Sequence, residues 1–128
     1  MVTEITKGVK VSVSTQFKQE YSSPMQYHYV FTYKIHIENQ SDYSIQLLSR
    51  RWFIFDSNGT VKEVEGEGVV GQQPLLEPGE THEYISGCNL KTGVGKMHGE
   101  YTFERLVDGK QFQVNIPEFT MIVPFKLN

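Results

Sequence analysis

The chain has 128 residues, enough for one domain with a core of its own and no need of covalent staples. Fifteen acidic against twelve basic side chains leave a net charge of −3, without the basic footprint of a nucleic-acid binder. A lone cysteine, Cys88, excludes an internal disulfide, and no apolar run is long enough to span a bilayer, so no membrane association is expected.

Met1 to Lys10 carries no apolar signal core, and a cytoplasmic location is the expectation. Val9, Val11, Val13, Thr15 and Phe17 then alternate with polar residues, the period of a half-buried strand. Tyr21-Ser22-Ser23-Pro24 reads as a turn. A second strand alternates from Tyr27 to Glu38, with Tyr29, Phe31, Tyr33, Ile35 and Ile37 on one face, and Asn39-Gln40-Ser41-Asp42 closes it with turn formers. The third segment, Ile45 to Phe55, is apolar on both faces near Trp52 and is expected at the centre of a sheet. Asp56-Ser57-Asn58-Gly59 predicts a hairpin, returning through Thr60 to Val64.

Beyond that strand lies Gly66-Glu67-Gly68-Val69-Val70-Gly71-Gln72-Gln73-Pro74, which spells G-x-G-x-x-G. The pattern serves dinucleotides and pyrophosphates only where it follows a strand and opens a helix, whose N-terminal amides meet the anion. Here Pro74 and Pro78 leave no room for a helix of useful length. Glu63, Glu65, Glu67, Glu77, Glu80 and Glu83 crowd the region, with no Lys or Arg between Glu63 and Glu83. The expected role is a shaped loop. Leu76-Glu77-Pro78-Gly79-Glu80 then turns the chain into a strand from Thr81 to Ser86, followed by a second glycine-flanked loop from Cys88 to Gly95. A strand around Met97 to Glu104, a hairpin at Val107-Asp108-Gly109-Lys110, a strand from Phe112 to Ile116 ended by Pro117, and a last strand from Phe119 to Val123 complete the chain. The sum is an all-β chain, a sandwich or small barrel of about eight strands forming a single domain over residues 1–128.

This sequence resembles the ApaG family. The resemblance is carried by Arg50-Arg51-Trp52, the run Gly66 to Pro74, Leu76 to Glu80, Tyr84, Ser86-Gly87-Cys88, Thr92, Gly95, Met97, Gly99 and Tyr101. It implies an immunoglobulin- or fibronectin-III-like β-sandwich of about seven to eight strands. It also implies a binding role, as inferred for related domains in some F-box proteins and in a polymerase-interacting protein. Bacterial members are associated with cobalt tolerance, magnesium efflux and the neighbourhood of diadenosine tetraphosphate hydrolysis. The family supplies no catalytic residue.

Read residue by residue, the chemistry is sparse. His28 and His36 share a strand face but stand about 26 Å apart at the strand rise, too far to hold one ion. His82 and His98 meet only if their strands bring them together, and no metal-ligand spacing supports a site. Cys88 has no adjacent cation to activate it, and no serine nucleophile motif is present, so no enzyme activity, cofactor or metal is expected. Arg50 and Arg51 alternate across a strand. The outward one either reaches the glycine backbone as a small anion site or pairs with Glu65 or Glu67.

The leading expectation is a non-enzymatic module that recognises a protein partner through its two glycine-rich loops, with Gly66, Gly68, Val69, Val70, Gly71, Gln72, Arg50 and Arg51 as site residues and Gln73, Asn89 and Lys91 in support. The alternative is a sensor that binds a pyrophosphate or polyphosphate nucleotide with a divalent cation. Phe119 to Val123 is an edge that either pairs in an oligomer or is covered within the chain.

Overall fold

The structure, a computed structural model, describes residues 1–124. Nine strands form in chain order: β1 (Val2–Thr6), β2 (Val9–Phe17), β3 (Tyr29–Asn39), β4 (Ile45–Asp56), β5 (Val61–Glu67), β6 (Leu75–Leu76), β7 (Thr81–Leu90), β8 (Val94–Arg105) and β9 (Lys110–Ile122). They make an antiparallel four-stranded sheet, β1-β2-β3-β7, and a second sheet, β5-β4-β8-β9, with the short β6 also on β4. The alternating apolar residues of both sheets turn inward to form one core. Trp52 stands at its centre, with Tyr33 at 5.3 Å from the facing sheet and Phe119 at 5.9 Å edge-on. The sandwich anticipated from the alternation is therefore the fold, and β4 is an interior strand as its two-sided hydrophobicity implies. The helical turns at Gln19–Tyr21 and Pro24–Gln26 have three residues each, and no helix among the described residues is long and apolar enough to cross a membrane.

Several elements differ from the sequence reading. β1 was not anticipated. It pairs along β2 through a two-residue turn in which Lys7 and Gly8 both take left-handed backbone (φ 50° and 79°), as a type I′ hairpin requires. Tyr27 is not in a strand but ends the second helical turn with φ 55°. Phe112 to Ile116 and Phe119 to Val123 are one strand up to Ile122, because β9 bulges where Pro117 lacks an amide, on the outer edge of its sheet. That edge is covered in part: the Asn115 amide donates to Thr6 Oγ1 and its side chain to Glu4. The loop expected from Cys88 to Gly95 shrinks to residues 91–93. Cys88, Asn89 and Leu90 extend β7, and Val94 already begins β8.

Asn39 is more than a turn former. It is fully buried at the end of β3, and its amide nitrogen donates to the carbonyls of Tyr43 (2.8 Å) and Leu76 (2.9 Å). Its side-chain oxygen accepts from the Ser41 amide and hydroxyl. One side chain thus ties the first sheet to β6 of the second and sets the path of the 40–44 segment.

Candidate functional site

The glycine stretch is built on an irregularity in β4. Leu47 pairs with Phe103 and Ser49 with Thr102, so Leu48 is an extra residue on the β4 side of that ladder. On its other side β4 meets β5 from Ser49↔Glu67 onward and β6 at Gln46↔Leu75 and Ile45↔Leu76. Between them, the Gly68 amide donates to Leu48 O (2.8 Å) and the Leu47 amide to Pro74 O (3.0 Å). β5 and β6 are thus two halves of one edge strand, and residues 69–73 are pinched out of it at the bulge.

The excursion is itself a tight hairpin. The Val69 amide donates to Gln72 O (2.8 Å) and the Gln72 amide to Val69 O (3.0 Å), with Val70 and Gly71 left-handed at φ 47° and 75°. Gly68 stands where the chain leaves and returns. A Cβ there would lie 2.2 Å from Gln72 O, and its φ is +62°, so both space and backbone require glycine. Val69 is 1% exposed and plugs the core, whereas Val70 is 61% exposed at the tip. Gln73, expected on a recognition surface, turns its amide nitrogen to Leu48 O (2.9 Å), while the Gln46 amide nitrogen holds Gln73 O (3.1 Å).

The two arginines divide as alternation demands, but the one that reaches the loop is the inward-facing one. Arg50 lies across Gly66, where a Cβ would sit 2.8 Å from the guanidinium, and donates to the carbonyls of Glu67 (3.0 Å) and Gly68 (2.8 Å). Arg51 faces outward, pairs with Glu63 and with Glu65 (3.2 Å), and covers the Phe53 ring at 5.2 Å. Arg50 Nη1 is thus already taken up by two backbone oxygens and is not free for an anion. The amides of Gly68, Val69 and Gln72 are likewise directed to carbonyls, and Gly71 opens no helix.

Behind Arg50 lies a tyrosine cluster. The Tyr84 hydroxyl is 2.5 Å from that of Tyr101 across the sheets, and Tyr33 bonds Ser86. Burial raises the pKa of all three phenols, so they stay neutral and act as hydrogen-bonding struts. Burial likewise pushes the Cys88 thiol up to about 11, which keeps it protonated and unreactive. His82 and His98 are not brought together. His82 is on β7, whereas His98 stacks on Phe53 (5.1 Å) and Phe55 (5.6 Å) on the outer surface of the other sheet.

The two glycine-rich segments do not form one surface either. The hairpin sits beside Leu48, and residues 91–92 bond Asp56 at the far end of β4, eight residues or about 26 Å away. Asn39, Leu48 and Gln46 are the supporting residues that sequence reading missed.

A family model described as the ApaG domain matches residues 19–105. The chain is 47% identical over 128 residues, the whole of both chains, to Protein ApaG of Anaeromyxobacter dehalogenans strain 2CP-1. It is 44% identical over 124 residues to Protein ApaG of Brucella canis, covering 97% of this chain and 95% of that protein. A crystal structure described as the putative ApaA protein of Bordetella pertussis superposes with a TM-score of 0.87 at 46% identity, over 91% of this chain and 94% of that one.

Proposed function

Since the chain belongs to the ApaG family, we propose that it is a non-enzymatic module that binds a protein partner through the hairpin at Val69 to Gln72. The observation that carries this reading is Val70. A β-branched residue in left-handed backbone costs about 1–3 kcal/mol, and Gly or Asn makes the same turn without that cost. Such strain at an exposed apolar tip is explained by a contact the tip makes with something else. The tip is also held for that purpose, because its stem is fixed by Arg50, Gln73 and the β4 bulge, so little order is lost on binding. The exposed Leu75, just past the stem, extends the apolar area.

In this reading the module acts in the cytoplasm, and any link to cobalt or magnesium handling runs through the partner. The polyphosphate-sensor alternative has against it a hairpin whose amides and arginine are directed to backbone oxygens. The test is Val70→Asn, which removes the apolar tip and improves the turn. The variant is expected to unfold about 1 kcal/mol later than the wild type, yet to lose specific partners in quantitative affinity capture. Equal partner recovery by the two proteins would count against the proposal. Val69 is unsuited to the test because its side chain is core.

A further inference from the structure

A cavity of about 310 Å³ opens where the β1–β2 turn, the 40–44 segment and the β8–β9 hairpin meet. Its apolar wall is Ile45, Phe112 and Tyr43, and its rim carries Lys7, Arg105 and Lys110. We propose that this cavity binds a small organic anion, a ring-sized apolar group bearing one carboxylate or phosphate.

Three cations converge on it in a chain whose net charge is −3. Arg105 is immobilised, with Nε and Nη2 on the Asp108 carboxylate at 3.1 and 2.5 Å and its guanidinium 4.7 Å over the Tyr43 ring. Lys7 and Lys110 have no carboxylate within ion-pair distance among the described residues; Asp108 attracts Lys110 from beyond that distance, which leaves Lys7 as the cation at the opening without a paired acid. Lys7 also holds left-handed backbone at the first turn position, where Asn or Gly makes the better hairpin, so the lysine serves its charge rather than the turn. Its position is set by the bond from the Gln40 amide to Gly8 O (2.7 Å), which docks the turn on the 40–44 segment that Asn39 shapes. The volume suits one aromatic or branched aliphatic group with its acidic head at the rim. This site does not depend on the hairpin reading.

The test is an amide-resolved NMR titration of the full chain with phenylacetate, phenyl phosphate, phenylacetamide, inorganic phosphate and the peptide acetyl-Gly-Gly-Phe. Saturable shifts are expected around Lys7, Ser41 and Lys110 with the two aromatic anions. Binding of phenylacetamide and of inorganic phosphate is expected to be at least about tenfold weaker, the loss typical of one charge-assisted hydrogen bond or of the apolar group. Lys7→Asn is expected to fold at least as stably as the wild type and to bind about tenfold more weakly. A peptide that binds more tightly than phenylacetate assigns the natural anion to a chain terminus, and the reverse order assigns it to a free metabolite. The proposal is overturned by the absence of saturation up to about 10 mM. It is equally overturned by shifts centred elsewhere, by neutral amide or inorganic phosphate binding as tightly as the aromatic acids, or by unchanged affinity in Lys7→Asn.

Discussion

Gly68 and Val70 stand two residues apart, each in left-handed backbone, and illustrate opposite constraints. At Gly68 there is no space, since the returning chain passes within 2.2 Å of where a Cβ would be. At Val70 there is space, and only the backbone objects. Gly68→Ala is therefore expected to destabilise the fold by about 3 kcal/mol or more, the sum of left-handed strain and a clash with a backbone carbonyl that cannot move without breaking the hairpin. Urea unfolding measures this, and a loss below about 1 kcal/mol would show that the pinch is not rigid. At this scale the sequence is a partial guide. Pro74 and Pro78 correctly exclude a helix after Gly71, but the partner of Arg50 was not readable. Which of two neighbouring arginines turns inward depends on the register of β4 beyond its bulge, and that bulge is a property of pairing with β8, not of Leu48 itself. Asn39 is a similar case, because a buried Asn that holds two carbonyls has the same local neighbours as an exposed one in a turn.

Among the elements, the β8–β9 hairpin has the clearest electrostatic signature. Asp108 accepts from the Arg105 guanidinium and from the Lys110 amide (3.1 Å), closing the turn from both sides. Arg105 is the larger cause and Lys110 the smaller in lowering the Asp108 carboxyl from 3.8 to about 2. Because the folded value is the depressed one, the carboxylate stabilises the hairpin fully above the unfolded value near 4, and that contribution is lost as pH falls through about 2. An NMR titration of the Asp108 carboxyl should give a midpoint near 2, and the stability gap between wild type and Asp108→Asn should narrow on acidification over this window. A midpoint near the ordinary carboxylate value would mean that the Arg105 latch is open in solution. The elements that alternation revealed, β2, β3 and β8, have one face in the core, whereas β4 was marked by apolar residues on both faces and the largely exposed β5 by the hairpin at Asn58-Gly59. β1 escaped notice because Thr3, Glu4 and Thr6 dilute its pattern and its partner is local, and β6 because two residues between prolines carry no period. Pro117 read as a terminator, though on an outer strand a missing amide is tolerated.

For the molecule as a whole, two sheets close against each other along β1 and β9, while β5 and β7 end their sheets at the other margin. The line formed by β5 and β6 would, if continuous, offer a long row of unmatched backbone donors and acceptors to any passing strand. The excursion at residues 69–73 cuts that row in two and projects a knob from it. A chain shortened by residues 69–73, with Gly68 joined to Pro74, is expected to stack rim to rim on its own copies into growing filaments, read by light scattering on the folded fraction. A shortened chain that stays monodisperse would remove this role. The same small knob that we propose offers Val70 to a chosen partner would thereby also act as a fender, keeping unchosen strands from berthing alongside.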